Sequence, residues 1–253
     1  VNNSYKLVGK SVFNAPNLKI IMSVQFKDIC DIRKPYKDET ETFLEVHLES
    51  RDPIVLFGHW FEKARATPNI DEPNSMTLAT VKSNGRPAAR TVLMKGFGQD
   101  GFRFFTNYRG AKAQQIEQTP FAALVFYWPL LCRSVRVEGA VEKLDKLASD
   151  EYFNRRPRAN QIAAHVSQNQ SAPVSSRQAL LDRQEKITNE FEGKEVTRPD
   201  FWGGYVVQPD LMEFWQGQGS RMSDRIVFTK KNETSGDFVQ EGDNGWVYQR
   251  LEP

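Results

Sequence analysis

With 253 residues, 39% hydrophobic and 26% charged, the chain is long enough to bury a core as one domain or two small ones. A net charge of +2 is too small to mark a binder of polyanions, whose basic residues gather on one face, and no apolar run approaches the roughly 20 residues that span a bilayer. Two cysteines, Cys30 and Cys132, form neither a disulfide framework nor a metal-ligand spacing, and His47, His59 and His165 are scattered; a reducing compartment without a structural metal is expected.

Residues 1–27 carry Lys6, Lys10, Lys19 and Lys27 and no acidic residue. They read as a disordered tail, with a targeting segment of mitochondrial type as the second reading of a basic, acid-poor stretch. Arginine, usual in transit peptides, is absent there, and the expected location is the cytoplasm. Glu41 to His47 and Pro53 to Ala66 have apolar residues at helical spacing (Phe43, Val46; Ile54, Phe57, Phe61), with Asp52-Pro53 as cap and first-turn residue. From Met76 the period changes to two. Met76–Val81 and Ala88–Met94 read as strands around an Asn84-Gly85 turn, and Asp100-Gly101 opens a second hairpin into Phe102–Thr106.

A short helix fits Ala111–Gln118 and ends before Pro120; strands Phe121–Trp128 and Ser134–Val141 follow, rich in Val, Phe and Tyr. Helices are expected at 148–155, 159–166 and 176–192, the last with Ser175 at its cap and Gly193 beyond its end. Strands Gly204–Val207, Met212–Trp215, Arg225–Thr229 and Trp246–Arg250 close the chain, with Asn244-Gly245 turning into the last. Hairpin-linked strands interrupted by helical insertions predict a mainly β, antiparallel barrel (α+β) and not a parallel βαβ sheet. Neither a dinucleotide glycine motif nor a P-loop is present.

Four cationic clusters are candidates for chemistry. Arg90 and Lys95 flank one predicted strand, and their odd separation points them to opposite faces, as solvated charges or as grips on two different phosphates. Phe105 and Thr106 end another strand, and Lys112 lies at the start of the next helix, where the dipole favours an anion, although aromatic strand ends are usually core. Tyr152 and Arg156 share one helical face, as a phosphate grip or an amphipathic helix end. Trp215, Arg221 and Arg225 surround a loop broken by Gly217 and Gly219, a set suited to a flat, negatively charged ligand. No carboxylate pair, Ser-His-Asp order or Cys-His pair is evident, so any catalysis must draw its reactive atom from a cofactor.

The segments ARTVLMKGFGQDGFRFFTN (89–107), FWGGY (201–205), EFWQGQ (213–218), RMSDR (221–225) and the terminal RLEP resemble the FMN-dependent pyridoxine (pyridoxamine) 5′-phosphate oxidases. The resemblance runs from about Arg33 to Pro253, dividing the chain into a tail, 1–32, and one FMN-binding domain, 33–253. It implies a homodimeric split β-barrel with FMN between subunits. The implied reaction oxidises a phosphorylated B6 vitamer to pyridoxal 5′-phosphate, with dioxygen reoxidising the flavin to give hydrogen peroxide. No nucleic acid and no membrane is implied as a partner.

By the family pattern, Arg90, Thr91, Val92, Leu93, Phe105, Thr106 and Lys112 hold FMN, and Trp215 and Arg225 complete its site across the dimer. Lys95, Tyr152 and Arg156 grip the substrate phosphate, and Arg221 lies over the substrate ring as the catalytic residue. The chain departs from the pattern at Ala111 (family Arg), Ser134 (Gln), Asn160 (Ser), Asn169-Gln170 (Gln-Ser), Ser223 (His) and the Lys37-Asp38-Glu39-Thr40 segment. These departures keep a second reading open, a paralogue that binds FMN or pyridoxal phosphate without efficient turnover.

Overall fold

The computed structural model describes residues 30–32, 42–219, 222–231, 233 and 235–253. Most of the expected 1–32 tail, the 37–40 segment and Arg221 lie outside them.

Helix α1 (Pro53–Ala66) starts where its chemistry says it should. Asp52 Oδ1 accepts from the backbone N–H of Ile54 at 2.7 Å and of Val55 at 3.4 Å, and Pro53 occupies the first turn, where a missing N–H costs nothing. The second carboxylate oxygen accepts from Gln99 Nε2 at 2.7 Å and Asn244 Nδ2 at 2.6 Å, tying the helix to two distant turns. The buried stripe Ile54, Phe57, Trp60 and Ala64 faces the sheet. Upstream, no α-helix forms over 42–47: residues 45–47 make one 3-10 turn, Phe43 is buried and Val46 stands 84% exposed. Two apolar residues at helical spacing do not make a stripe when only one has a surface to cover.

Ten strands build one antiparallel sheet: β1 (Ser75–Val81), β2 (Pro87–Leu93), β3 (Gly96–Gly98), β4 (Gly101–Asn107), β5 (Phe121–Trp128), β6 (Arg133–Lys143), β7 (Trp202–Gln216), β8 (Asp224–Lys230), β9 (Gln240–Glu241) and β10 (Trp246–Arg250). The path runs β2-β1-β5-β6-β7-β8-β10-β9, with β4 branching from the first half of β7 and carrying β3. It does not close on itself, so the expected barrel is an open, split one.

The two strands expected at 204–207 and 212–215 are a single strand, β7. Pro209 reads as a break but sits opposite Gly139, where the register shifts and β7 carries one extra residue, Asp210. A side chain at Gly139 would collide with the Gln208 carbonyl, so the glycine lets the two backbones pass.

Helix α2 (Ala111–Gln118) packs beside β1, while α3 (Lys146–Asn154), α4 (Arg158–Val166) and α5 (Arg177–Glu190) enclose a second core around Phe153, Ile162, Ile187 and Trp202. Ser176, one residue past the expected Ser175, caps α5, its Oγ accepting from Ala179 N–H at 3.1 Å. In the main core, the Phe57 ring lies 4.9 Å from each of Phe97, Phe102 and Phe126. Among the described residues no helix is long and apolar enough to cross a membrane.

Candidate active site

The edge strand β2 places Arg90 opposite Leu78, on the side of the sheet that α2 covers. Its guanidinium donates from Nη1 to Thr80 Oγ1 at 2.6 Å and the Leu78 carbonyl at 3.2 Å, and from Nη2 to Gln115 Oε1 at 3.0 Å. From the first turn of α2, Lys112 Nζ donates to Thr106 Oγ1 at 3.2 Å and Gln170 Oε1 at 3.0 Å. Among the described residues, neither cation is ion-paired with a carboxylate. Burial, then the Arg90 charge, pulls the Lys112 ammonium below the usual lysine value, and burial lowers Arg90. Two half-buried cations held only by neutral acceptors, one of them in the first turn of α2, make this a candidate anion site.

The Gln-Ser pair, expected to be replaced at Asn169-Gln170, is met one residue further on. Gln170 reaches Lys112 and Thr106, and Ser171 Oγ accepts from the Ala111 N–H at 3.4 Å. Ser171 adopts a left-handed backbone, φ 75°.

Phe105 turns away from this site. Its ring stacks on Tyr152 at 3.9 Å between centroids and on Trp202 at 5.6 Å. With Tyr152 it lines a cavity of about 290 Å³ together with Lys95, Asp100, Glu151 and Arg155. Lys95 is not at the end of the Arg90 strand, as the spacing predicts. β2 stops at Leu93, Met94 N–H donates to Asn74, and Lys95 N–H donates to Arg103 on β4. The two cations thus belong to different sites because the chain changes partner strand between them.

Arg156 lies against Trp202, 4.6 Å from its ring, with Nη1 buried and unpartnered. Arg155, which carries no candidate role in the sequence reading, is exposed at the same cavity. Burial raises the Tyr152 phenol, and the two arginines act against that rise. Asn160 is exposed on α4.

The third group lies on the outer face. Trp215 on β7 is opposite Arg225 on β8 and Ser134 on β6, and the strand alternation sends Phe214 and Ile226 to the core instead. Glu213 clamps the cluster, accepting from Arg225 Nε at 2.7 Å and Arg136 Nη2 at 2.6 Å. Burial pushes its carboxyl up, but those bonds outweigh it and hold it below the ordinary value. Arg225 Nη1 also donates to the Glu252 carbonyl at 2.9 Å. Ser134 turns back to the Phe126 carbonyl at 2.9 Å, so a small cavity of about 220 Å³ opens beside Trp215. Gly217 fits under the Trp215 ring, where a side chain would strike it.

Of the β2 residues, Thr91 is exposed in the same outer row, whereas Val92 packs on the core. Along the sheet, β2 and β7 are four inter-strand steps apart. Ser223 is half-buried in front of β8, beside Asp224, which accepts from Phe43 N–H at 2.9 Å, Gln218 Nε2 at 2.8 Å and Arg250 Nη1 at 2.7 Å.

An open antiparallel sheet with helical insertions is the architecture of the split-barrel proteins. PhzG from Burkholderia lata 383, solved with tetrahydrophenazine-1-carboxylic acid, superposes with a TM-score of 0.73 at 24% identity, covering 83% of this chain and 97% of its own. A pyridoxamine 5′-phosphate oxidase-related, FMN binding protein from Nostoc punctiforme superposes at 0.57 and 20% identity, covering 78% and 95%.

Sequence comparison narrows the class. Residues 62–190 match the family model described as pyridoxamine 5′-phosphate oxidase, and 202–253 match the pyridoxine 5′-phosphate oxidase C-terminal dimerisation region. A pyridoxine/pyridoxamine 5′-phosphate oxidase of Bombyx mori is 48% identical over 258 residues, all of both chains. A pyridoxine-5′-phosphate oxidase of Bos taurus is 46% identical over 230 residues, 89% of this chain and 88% of that one. The chain belongs to the pyridoxine/pyridoxamine 5′-phosphate oxidase family, a family of oxidoreductases.

Proposed function

We propose that this protein oxidises pyridoxine and pyridoxamine 5′-phosphates to pyridoxal 5′-phosphate, with FMN as cofactor and dioxygen as final acceptor, releasing hydrogen peroxide. The observation that carries the reading is the Arg90–Lys112 pair, two neighbouring cations held by Thr80, Thr106, Gln115 and Gln170 with both charges left free for a phosphate. Thr106, Gln170, Ser171 and the Ala111 N–H complete a donor and acceptor set that fits the FMN phosphate. FMN, when bound, supplies the hydride acceptor.

Everything else is orientation and charge, since among the described residues no hydroxyl or thiol at the site is paired with a histidine or carboxylate base. Thr91 and Leu93 present the β2 edge to the cofactor. Trp215 and Arg225 lie about four strands away on the same chain, so in this reading they close the site of a second copy, in keeping with the dimerisation region that 202–253 match. Lys95 and Tyr152 line the cavity proposed for the substrate phosphate, with Arg156 against Trp202 and a buried, unpartnered Nη1 that an incoming phosphate would satisfy. Arg221, placed by the family pattern alone, would cover the substrate ring. With Gln170 and Ser171 at the anion site, fewer departures weigh toward a non-catalytic binder than the sequence spacing implies.

The test is anaerobic. The protein is loaded with FMN, freed of excess flavin, and given pyridoxine 5′-phosphate while the visible flavin absorbance is followed. Bleaching that air reverses is the expected result; a protein that stays yellow at saturating substrate overturns the oxidase in favour of the binder. Two departures give a further prediction. Ala111→Arg adds a guanidinium at the first turn of α2 and tightens FMN about tenfold, the worth of one charge-assisted hydrogen bond. Combined with Ser223→His it also raises turnover. No change in flavin fluorescence titration or in rate would remove both positions from the site.

A further inference from the structure

Gln115 is not among the groups proposed to meet the FMN phosphate, yet it holds Arg90 at that candidate site. Three residues past Lys112 on α2, its Oε1 accepts from Thr80 Oγ1 at 2.6 Å and from Arg90 Nη2 at 3.0 Å. The Thr80 hydroxyl, 2% exposed, in turn accepts from Arg90 Nη1 at 2.6 Å. Arg90, Thr80 and Gln115 therefore close a ring of three hydrogen bonds, and the Leu78 carbonyl holds Nη1 from a further side. Such a ring fixes the plane of a guanidinium that would otherwise swing on a long side chain at a sheet edge.

The second cation is held by the same pair of groups. Lys112 is gripped by one amide oxygen, Gln170, and one threonine hydroxyl, Thr106. Elsewhere in the fold some arginines are held by carboxylates, as Arg136 is by Glu213 and Arg198 by Asp150. A carboxylate would hold Arg90 more strongly, but it would also cancel the charge and repel an anion. An amide aligns the donor and leaves the charge uncompensated.

We propose that Gln115 is a positioning residue for Arg90, and that its lack of charge keeps the guanidinium available to the cofactor phosphate. The proposal rests on the FMN reading given above, and the test separates the two. The full chain, stripped of flavin, is titrated with FMN and, in parallel, with riboflavin, which lacks the phosphate; flavin fluorescence reports binding. The native chain is expected to prefer FMN strongly. Gln115→Glu, which places a carboxylate beside Arg90, lowers FMN affinity tenfold or more, and Gln115→Met, which removes the acceptor without adding charge, lowers it about threefold. Riboflavin affinity stays unchanged in both.

A native chain with no preference for FMN over riboflavin would overturn the phosphate site itself. Variants that bind FMN like the native chain would overturn the role of Gln115 while leaving that site standing. Equal losses for both flavins would also overturn it, because they would mark a packing role. Thr80 is 2% exposed and cannot easily readjust, so if the Glu variant fails to fold, the Met variant and its FMN-to-riboflavin ratio decide the matter.

Discussion

Replacing Lys112 with Met lowers FMN affinity about ten- to a hundredfold and leaves riboflavin affinity unchanged. A charge-assisted hydrogen bond to a phosphate contributes about 1.5–3 kcal/mol, and about 1.4 kcal/mol corresponds to a factor of ten in binding. The Lys112 ammonium is held by Thr106 and Gln170 and by no carboxylate, so its charge is directed to the ligand and not consumed within the fold.

The same residue sets a pH dependence. Burial and the neighbouring Arg90 depress its pKa, so the proton leaves below the ordinary lysine range and FMN affinity falls as pH rises through that depressed value. The flavin-free protein responds with the opposite sign. Its folded state holds this proton less tightly than the unfolded chain does, so the Lys112 contribution to stability increases as pH rises from the folded toward the unfolded value. Lys112→Arg moves the loss of affinity to higher pH, because a guanidinium keeps its proton. Fluorescence titrations from neutral to alkaline pH check both statements; an affinity for FMN that is flat with pH and unaltered in the Met variant would remove Lys112 from the phosphate site.

Phe57→Ala is expected to cost about 3–5 kcal/mol, the range for deleting a fully buried aromatic side chain, including the cavity it leaves. The ring is completely buried and touches Phe97, Phe102 and Phe126, so it joins α1 to the β3–β4 hairpin and to β5 at one point. For a chain of this size each kcal/mol lowers the melting temperature by about 2–4 °C, which gives a drop of about 10 °C by calorimetry. Below the transition FMN affinity should hold, since no Arg90 or Lys112 bond passes through Phe57. A drop of only a degree or two would mean that neighbouring rings collapse into the space.

Helix α1 and helix α2 have the bounds their sequences predict, and β10 does as well, because their signals are local. Asp52 followed by Pro53 starts a helix from within four residues. Asn84-Gly85 and Asn244-Gly245 turn the chain where they stand, with Gly85 at φ 77°, Asn244 at 54° and Gly245 at 78°. Signals that depend on a distant partner are misread. Pro209 looks like the end of a strand until Gly139, seventy residues earlier, is seen to make room for it. The Phe43–Val46 spacing looks helical until only Phe43 finds a core. Gln170 and Ser171 meet Lys112 and Ala111 only because the fold brings residues about 60 positions apart together, which spacing alone cannot reveal.

By itself, the sequence determined the mainly antiparallel fold class and the family, and it named candidate site residues, since residue types, turn chemistry and motif order are properties of short stretches. Only the tertiary structure decided how those residues divide: Thr106 with Arg90 and Lys112, Phe105 with Lys95 and Tyr152, and Trp215 with Arg225 on another face of the sheet. It alone supplied Gln115, Glu213 and Arg155, and gave Gln170 its contacts with Lys112 and Thr106. The physical reason is that a side chain's charge is set by what it touches, and the partners of these four residues come mostly from 12 to 77 residues away along the chain.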